Sequence, residues 1–268
     1  MRQMYRLIWF QHVHKAAGSA VINQAIANGE TLYPVHENGN PCSSTRELLP
    51  IWDYEDNELL EFIDDCQSKG VTFVATEWGS PTFRILNSDS RVVLVTCIRE
   101  PWSRLVSNYN YDYYLGFSSA RALSEYMIGE HRIKLDNYLV RVFSGDSDHE
   151  GKTLGLESVN SSITNLQLFD LVLITEREGD LGNHLFEALG WEAKIVDSHS
   201  TFGNLWTLST LIRQLRLLSA VRYLLRVKRQ VTEGDRRDFE EKSSLELELY
   251  SRVNDLQIRG RIHPLNSQ

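Results

Sequence analysis

The chain has 268 residues, a formal charge of −8, and 42% hydrophobic and 10% aromatic residues. That is enough apolar mass for one sizeable core in a single domain spanning 1–268, and the acidic balance excludes a general nucleic-acid binder, whose surface would be basic. Cys42, Cys66 and Cys97 form an odd set without metal-ligand spacing, and no apolar run reaches the roughly 18 residues of a membrane span, so a soluble cytoplasmic protein with free thiols is expected.

Leu7-Ile8-Trp9-Phe10 is an apolar run of strand length. It ends at His12-Val13-His14-Lys15-Ala16-Ala17-Gly18-Ser19, where small residues permit a tight turn. Val21, Ile22, Ala25 and Ile26 then recur at helical spacing up to Gly29. A helix N-terminus presents unpaired N–H groups and about half a positive charge, so a small-residue loop feeding one suits a phosphate or sulfate, and Lys15 adds a full charge. The nucleotide loop GxxxxGK[ST] puts its lysine after the second glycine, whereas here the lysine comes first.

Thr31 to Pro50, rich in Gly, Pro, Asn and Ser, reads as a long loop. Asp53 to Lys69 reads as an acidic helix with Leu59, Leu60, Phe62 and Ile63 inward, stopped by Gly70. Val71 to Thr76 has strand character and runs into Glu77-Trp78-Gly79, and Arg91 to Ile98 is a strand that runs into Arg99-Glu100-Pro101. Proline suits a first helical turn, which places Ser103 and Ser107 one turn apart on the helix that follows. Phe169 to Arg177 reads as another strand, followed by a helix over Leu181 to Leu189. Trp206 to Val231 reads as one long helix, with Arg213, Arg216, Arg222, Arg226, Lys228 and Arg229 among apolar residues. Packing on the core with the basic face in solvent is favoured over membrane-surface or partner binding. Thr232 to Asp238 reads as a charged loop. Strands alternating with helices imply a parallel sheet with ligands at the carboxyl ends of the strands, which would bring together the Lys15 loop, Glu77 and Arg99.

The stretch His-Val-His-Lys-Ala-Ala-Gly-Ser, residues 12–19, resembles the 5′-phosphosulfate loop of PAPS-dependent sulfotransferases, whose glycan-modifying branch often reads His-(Ile/Val)-Pro-Lys-(Thr/Ala)-Gly-Gly-(Thr/Ser). It departs from that pattern at His14, where proline is common and whose replacement should loosen the start of the loop. It departs again at Ala17, where glycine is common and whose methyl should narrow the room for a phosphate. Arg99-Glu100-Pro101-Trp102-Ser103-Arg104-Leu105-Val106-Ser107 resembles the second motif, Arg-(Asp/Glu)-Pro-x-x-Arg-x-x-Ser, in the right order and spacing. Asp136 to Gly145 is similar to the Asn-x-x-x-Arg-x-(Leu/Phe)-x-Gly segment of the same branch, as is Phe169 to Arg177 to its counterpart, with a fainter echo in Leu245 to Leu256.

The resemblance implies a three-layer α/β sandwich with a central parallel sheet, the P-loop-nucleotide-kinase-like sulfotransferase fold. It implies PAPS (3′-phosphoadenosine 5′-phosphosulfate) as donor and adenosine 3′,5′-bisphosphate as product. Lys15, Ala16, Ala17, Gly18, Ser19 and Ala20 would hold the phosphosulfate, and Arg99 with Ser107 the 3′-phosphate. Ser19 could serve as helix cap as well. Arg104 reads better as a structural ion pair, and Arg141 as either. Glu77, between an apolar strand and a tryptophan, is expected to be desolvated, to have a raised pKa and to act as the base; the plain alternative is an edge glutamate paired to Arg99. His12 is the alternative base. His12 and His14 alternate along a strand end, yet no third ligand stands out, so no metal is expected.

Glu77, Trp78, Tyr111 and Asp112 are candidates for the acceptor, set against plain core packing of Tyr109, Tyr111, Tyr113 and Tyr114. The acceptor would offer a hydroxyl or amine on a small molecule, either a cationic secondary metabolite such as a guanidinium alkaloid, handled by a soluble bacterial-type enzyme, or a carbohydrate. The rival readings are a P-loop-like small-molecule kinase and a non-catalytic nucleotide-binding module.

Overall fold

The computed structural model describes residues 5–128, 136–145, 153–177, 185, 188–192, 205–225 and 228–258. The first apolar run becomes β1 (Leu7–His12), all six residues buried. After α1 (Gly18–Ala27), the long loop holds only a two-residue antiparallel ribbon, β2 (His36–Glu37) with β3 (Asn40–Pro41). The acidic helix is α2 (Asp56–Ser68), started by a capping box in which the Glu58 carboxylate accepts from the Glu55 N–H, and Gly70 follows at φ +68°.

There follow β4 (Phe73–Thr76), α3 (Phe83–Ser88), β5 (Val92–Ile98) and α4 (Pro101–Leu115). Pro101 opens α4, and the Glu100 carboxylate accepts from the N–H groups of Trp102 and Ser103 at 3.1 and 2.7 Å. The chain continues through α5 (Leu123–Met127), α6 (Tyr138–Phe143), α7 (Leu156–Leu166) and β6 (Leu171–Ile174). The helix expected over Leu181 to Leu189 falls largely outside the described residues.

The sheet runs β4-β1-β5-β6, every pair parallel, with Gln11 opposite Thr76, His12 opposite Cys97 and Ile98 opposite Ile174. Alternate side chains go to opposite faces. Leu7, Trp9, Val74, Leu94 and Val172 pack with residues of α2, α3, α6 and α7; Ile8, Phe10, Phe73, Val95 and Leu171 pack with Val21, Ile22 and Ala25 of α1 and with Leu185, Leu189 and Trp191. Apolar burial on both faces makes three layers, and each such side chain contributes about 1.5–3 kcal/mol. The three cysteines are free and buried.

Three expectations change. The single helix from Trp206 to Val231 is two, α8 (Leu205–Arg213) and α9 (Leu217–Leu225), broken where Leu215 takes φ +57°. Its packing also differs, because aliphatic side chains and not only basic ones face solvent: Leu215, Leu217, Leu218, Leu224 and Leu225 are all more than half exposed. The charged loop is a helix, α10 (Glu233–Lys242). The Thr232 hydroxyl accepts from the Asp235 N–H at 3.1 Å and the Asp235 carboxylate accepts from the Thr232 N–H at 2.8 Å, a capping box legible in Thr-x-x-Asp. Last comes α11 (Ser244–Ile258), where the faint Leu245 to Leu256 similarity lies. Among the described residues no helix is long and apolar enough to cross a membrane.

Candidate active site

The carboxyl ends of β1, β4, β5 and β6 bring Lys15, Glu77, Arg99 and Glu176 to one edge of the sheet, since each follows its strand by a few residues. The loop after β1 is wound tightly: the Ala16 N–H donates to the Val13 carbonyl, and Lys15 and Ala17 both have left-handed backbones, φ +63° and +60°. Ala17 is the N-cap of α1 and offers no side-chain acceptor, and its methyl packs with the Ile8/Phe10 core cluster. An alanine there costs about 1–2 kcal/mol of backbone strain, but its bulk is turned to the core. Ser19 lies one position inside the helix and is exposed, so it is not the cap. Ala16 and Ala20 are buried. Gly18 is required by a neighbour, because a Cβ there would overlap the His12 ring.

His14 does not loosen the loop; it is fixed on three sides. Its Nδ1 lies 2.6 Å from Glu77 Oε1, its Nε2 lies 2.9 Å from Asn108 Oδ1, and its N–H donates to the Tyr138 hydroxyl at 3.4 Å. His12 Nδ1 is 3.5 Å from the other Glu77 oxygen, and burial pushes the His12 pKa down. Glu77 itself is set by β3, whose Asn40 side-chain oxygen accepts from the Glu77 N–H at 2.9 Å; the loop beyond is tied down where the Gln11 amide donates to the Gly79 carbonyl at 3.1 Å.

The expectation for Glu77 therefore reverses. Burial works to raise its pKa, but His12, the hydrogen bond and charge of His14, and Lys15 outweigh it and hold the carboxyl at about 2. Nor is Glu77 paired to Arg99, which instead donates to the Lys15 carbonyl at 3.4 Å and meets Glu176 at 4.0 Å.

Lys15 Nζ sits 3.9 Å from the centre of the Tyr111 ring, and His14 meets the same ring edge-on at 6.2 Å. Burial first, then the nearby Arg99 charge, lowers the Lys15 pKa to about 8, against the opposing pull of Asp112 and Glu77. Tyr111 also lines a cleft of about 380 Å³, together with Arg99, Trp102, Ser103, Ser107 and Lys228 among others, and none of the described lining residues is acidic. Such a volume is of small-ligand size. Lys228 reaches it from the segment after α9; in sequence it is one member of a basic run, and nothing local marks it off. Asn108 also has no sequence signal, because its part depends on where α4 crosses His14.

Of the remaining candidates, Trp78 is half-buried after β4. Asp112 is 5% exposed and accepts from the Tyr126 hydroxyl at 2.7 Å, so it faces the helix packing, not the cleft. Tyr109, Tyr113 and Tyr114 are buried core residues, and Tyr111 alone of the four touches both Lys15 and the cleft. Arg104 makes the expected structural pair, with Glu246 at 3.4 Å and both side chains almost fully buried. Arg141 pairs with Asp136 at 2.9 Å. Compared with known proteins, the chain matches no family model and no curated protein sequence.

Proposed function

We propose that the chain is a sulfotransferase that moves a sulfuryl group from PAPS to a hydroxyl or amine of a small acceptor. One observation carries this reading: Arg99, Ser107 and Lys228 share a cleft with no acid among its described lining residues, in an acidic protein, and Lys15 contacts Tyr111 of that lining. That donor set fits a nucleotide with phosphate groups at both ends. Arg99, Ser107 and Lys228 would hold the 3′-phosphate. Lys15 and the N-terminal amides of α1 would hold the phosphosulfate, and the Trp102 and Tyr111 rings offer stacking surfaces for the base. When bound, the donor supplies an activated sulfuryl group.

The protein's part is positioning and charge. The Lys15 ammonium stabilises negative charge that builds on the leaving phosphate, a preorganised contribution of the kind worth 10²–10³ in rate. Glu77, held ionised, is better suited to orient a base than to be one. His14 is bracketed by two oxygens, Glu77 Oε1 at Nδ1 and Asn108 Oδ1 at Nε2, so Nε2 can take a proton only once the acceptor has displaced the Asn108 oxygen. His12, buried under Gly18, supports the pair from behind. The acceptor hydroxyl or amine would take the place of the Asn108 amide at Nε2. With Glu77, Trp78 and Tyr111 around it, that place fits a cationic or hydroxyl-bearing small molecule.

Calorimetric titration separates this reading from an ATP-dependent kinase. Adenosine 3′,5′-bisphosphate should bind at least tenfold more tightly than ATP with magnesium, and Arg99→Ala should weaken it 10- to 100-fold. Preference for ATP, or an Arg99→Ala variant with unchanged affinity, would overturn the assignment. Labelled PAPS offered with a panel of amines, alcohols and sugars should then give transfer. Nucleotide binding with no turnover on any acceptor would leave a binding module instead.

A further inference from the structure

Beyond the cleft, the helix α9 carries its apolar residues the wrong way round for a helix packed on a core. The side of α9 turned to the protein bears Ser219, Ala220 and Tyr223, packed against Tyr113, Tyr114 and Leu115 of α4. The side turned to solvent bears Leu217, Leu218, Val221, Leu224 and Leu225, each 49–69% exposed. These five recur as i, i+1, i+4, i+7 and i+8, the stripe that ordinarily faces a core. At the turn between the helices Leu215 is 82% exposed, next to Ile212 at 49%, and Phe117, beside Arg216 at 5.4 Å, adds an aromatic ring at 60%. Monomeric soluble proteins rarely leave so many neighbouring large apolar side chains open to water.

The charge on this segment is equally one-sided. Residues 205–229 contain six Lys or Arg and no Asp or Glu, in a chain whose net charge is −8. Arg222 and Arg229 both lie over the Tyr113 ring, at 4.2 and 4.1 Å, and Arg216 donates to the Leu115 carbonyl at 3.1 Å. These three are thereby tied to α4, and Arg213 and Lys228 stand exposed. Gly116 makes the seat possible: it has φ +73°, and a Cβ there would come within 2.5 Å of Ser219 Oγ.

We propose that the α8–α9 hairpin docks the protein onto an anionic lipid surface, its leucines entering the acyl boundary and its cations meeting the headgroups. Complementary charge selects this occupant: the segment has no acidic residue in its sequence, and its exposed cations Arg213, Arg216 and Lys228 fit a sheet of anionic headgroups. Composition agrees, because all of these exposed apolar side chains except Phe117 are aliphatic, whereas the anchors of a protein interface are enriched in aromatic residues. Each helix has nine residues, too short to cross a bilayer and suited to lie in its plane. The cleft and this face are joined by a short stretch of chain, since Lys228 and Val231, which line the cleft, follow Leu225 by three and six residues. The docking does not depend on the transferase reading.

Flotation of the full chain with vesicles tests it. Phosphatidylglycerol/phosphatidylcholine vesicles should carry the protein up, and pure phosphatidylcholine vesicles should carry at least tenfold less. The bound fraction should also fall severalfold when salt is raised about tenfold. Leu217→Ser combined with Leu224→Ser, both at exposed positions, should cut binding at least tenfold with the circular dichroism spectrum unchanged, and Arg213→Gln should cut it two- to fivefold. No flotation of the wild type, or flotation indifferent to these substitutions, would overturn the proposal. So would a wild-type dimer in sedimentation equilibrium that the leucine variant dissolves while neither binds vesicles, because the face would then join two copies of the chain.

Discussion

Arg99 and Arg104 stand on either side of the first turn of α4 and meet opposite fates. Arg104 is 1% exposed, lies over the Tyr138 ring at 4.2 Å and faces Glu246, itself fully buried, whose other oxygen accepts from the Tyr138 N–H at 3.0 Å. Arg99 is about a third exposed and meets its nearest described carboxylate, Glu176, only at 4.0 Å. The same contrast separates Glu77, enclosed by two histidines, from the cleft that Tyr111 lines, where none of the described lining residues is acidic. A charge buried with its counter-ion is part of the framework; a charge at a strand end whose described counter-ion stands 4.0 Å off and part-exposed is available to a ligand.

Breaking the framework side should give the largest effect. Glu246→Ala leaves the Arg104 charge in the core and should cost about 3–5 kcal/mol in urea unfolding, whereas Arg99→Ala should change stability by less than about 0.5 kcal/mol. Equal losses for the two would erase the distinction. Next in size, Lys15→Ala should lower transfer by about 10³, near 4 kcal/mol of barrier, with the melting temperature nearly unchanged. Retained turnover would remove the lysine from the mechanism.

Glu77→Gln belongs to both sides and sharpens the boundary. The folded carboxyl titrates at about 2 against an ordinary 4.5, so its contribution is complete above pH 4.5 and disappears as the pH falls from 4.5 to 2. Up to about 3 kcal/mol is involved. The glutamine variant should lose stability at neutral pH and show a flatter acid limb, and turnover should fall because His14 loses its orienting carboxylate. An unchanged acid limb would mean that Glu77 carries no such linkage.

The smallest effect is a pH dependence of binding. Lys15 titrates at about 8 in the free protein, down from 10.5, so bisphosphate affinity should decline above pH 8 by up to tenfold per unit. Lys15→Arg, which stays charged, should flatten the decline. Folding responds with the opposite sign: between pH 8 and 10.5 the unfolded chain binds the lysine proton more than the native state, so this group makes stability rise with pH. Affinity measured from pH 7 to 10 in both proteins decides the matter.

Much of the architecture was legible in the chain because its signals are local. Apolar runs of strand length, a small-residue turn after β1, Pro101 behind Arg99 and Gly70 after α2 each act within a few residues, and alternation of strands with helices then places Lys15, Glu77 and Arg99 at one sheet edge. Thr232 with Asp235 was an equally local signal for α10, outweighed by a run of charges. Local reading failed where partners are distant. His14 meets Glu77 across 63 residues and Asn108 across 94, so the ionised state of Glu77 follows from packing that no spacing reveals. Likewise the outward turn of the α9 leucines depends on which side α4 occupies: hydrophobic periodicity marks a stripe, and only the tertiary contacts decide whether that stripe meets the core or the solvent.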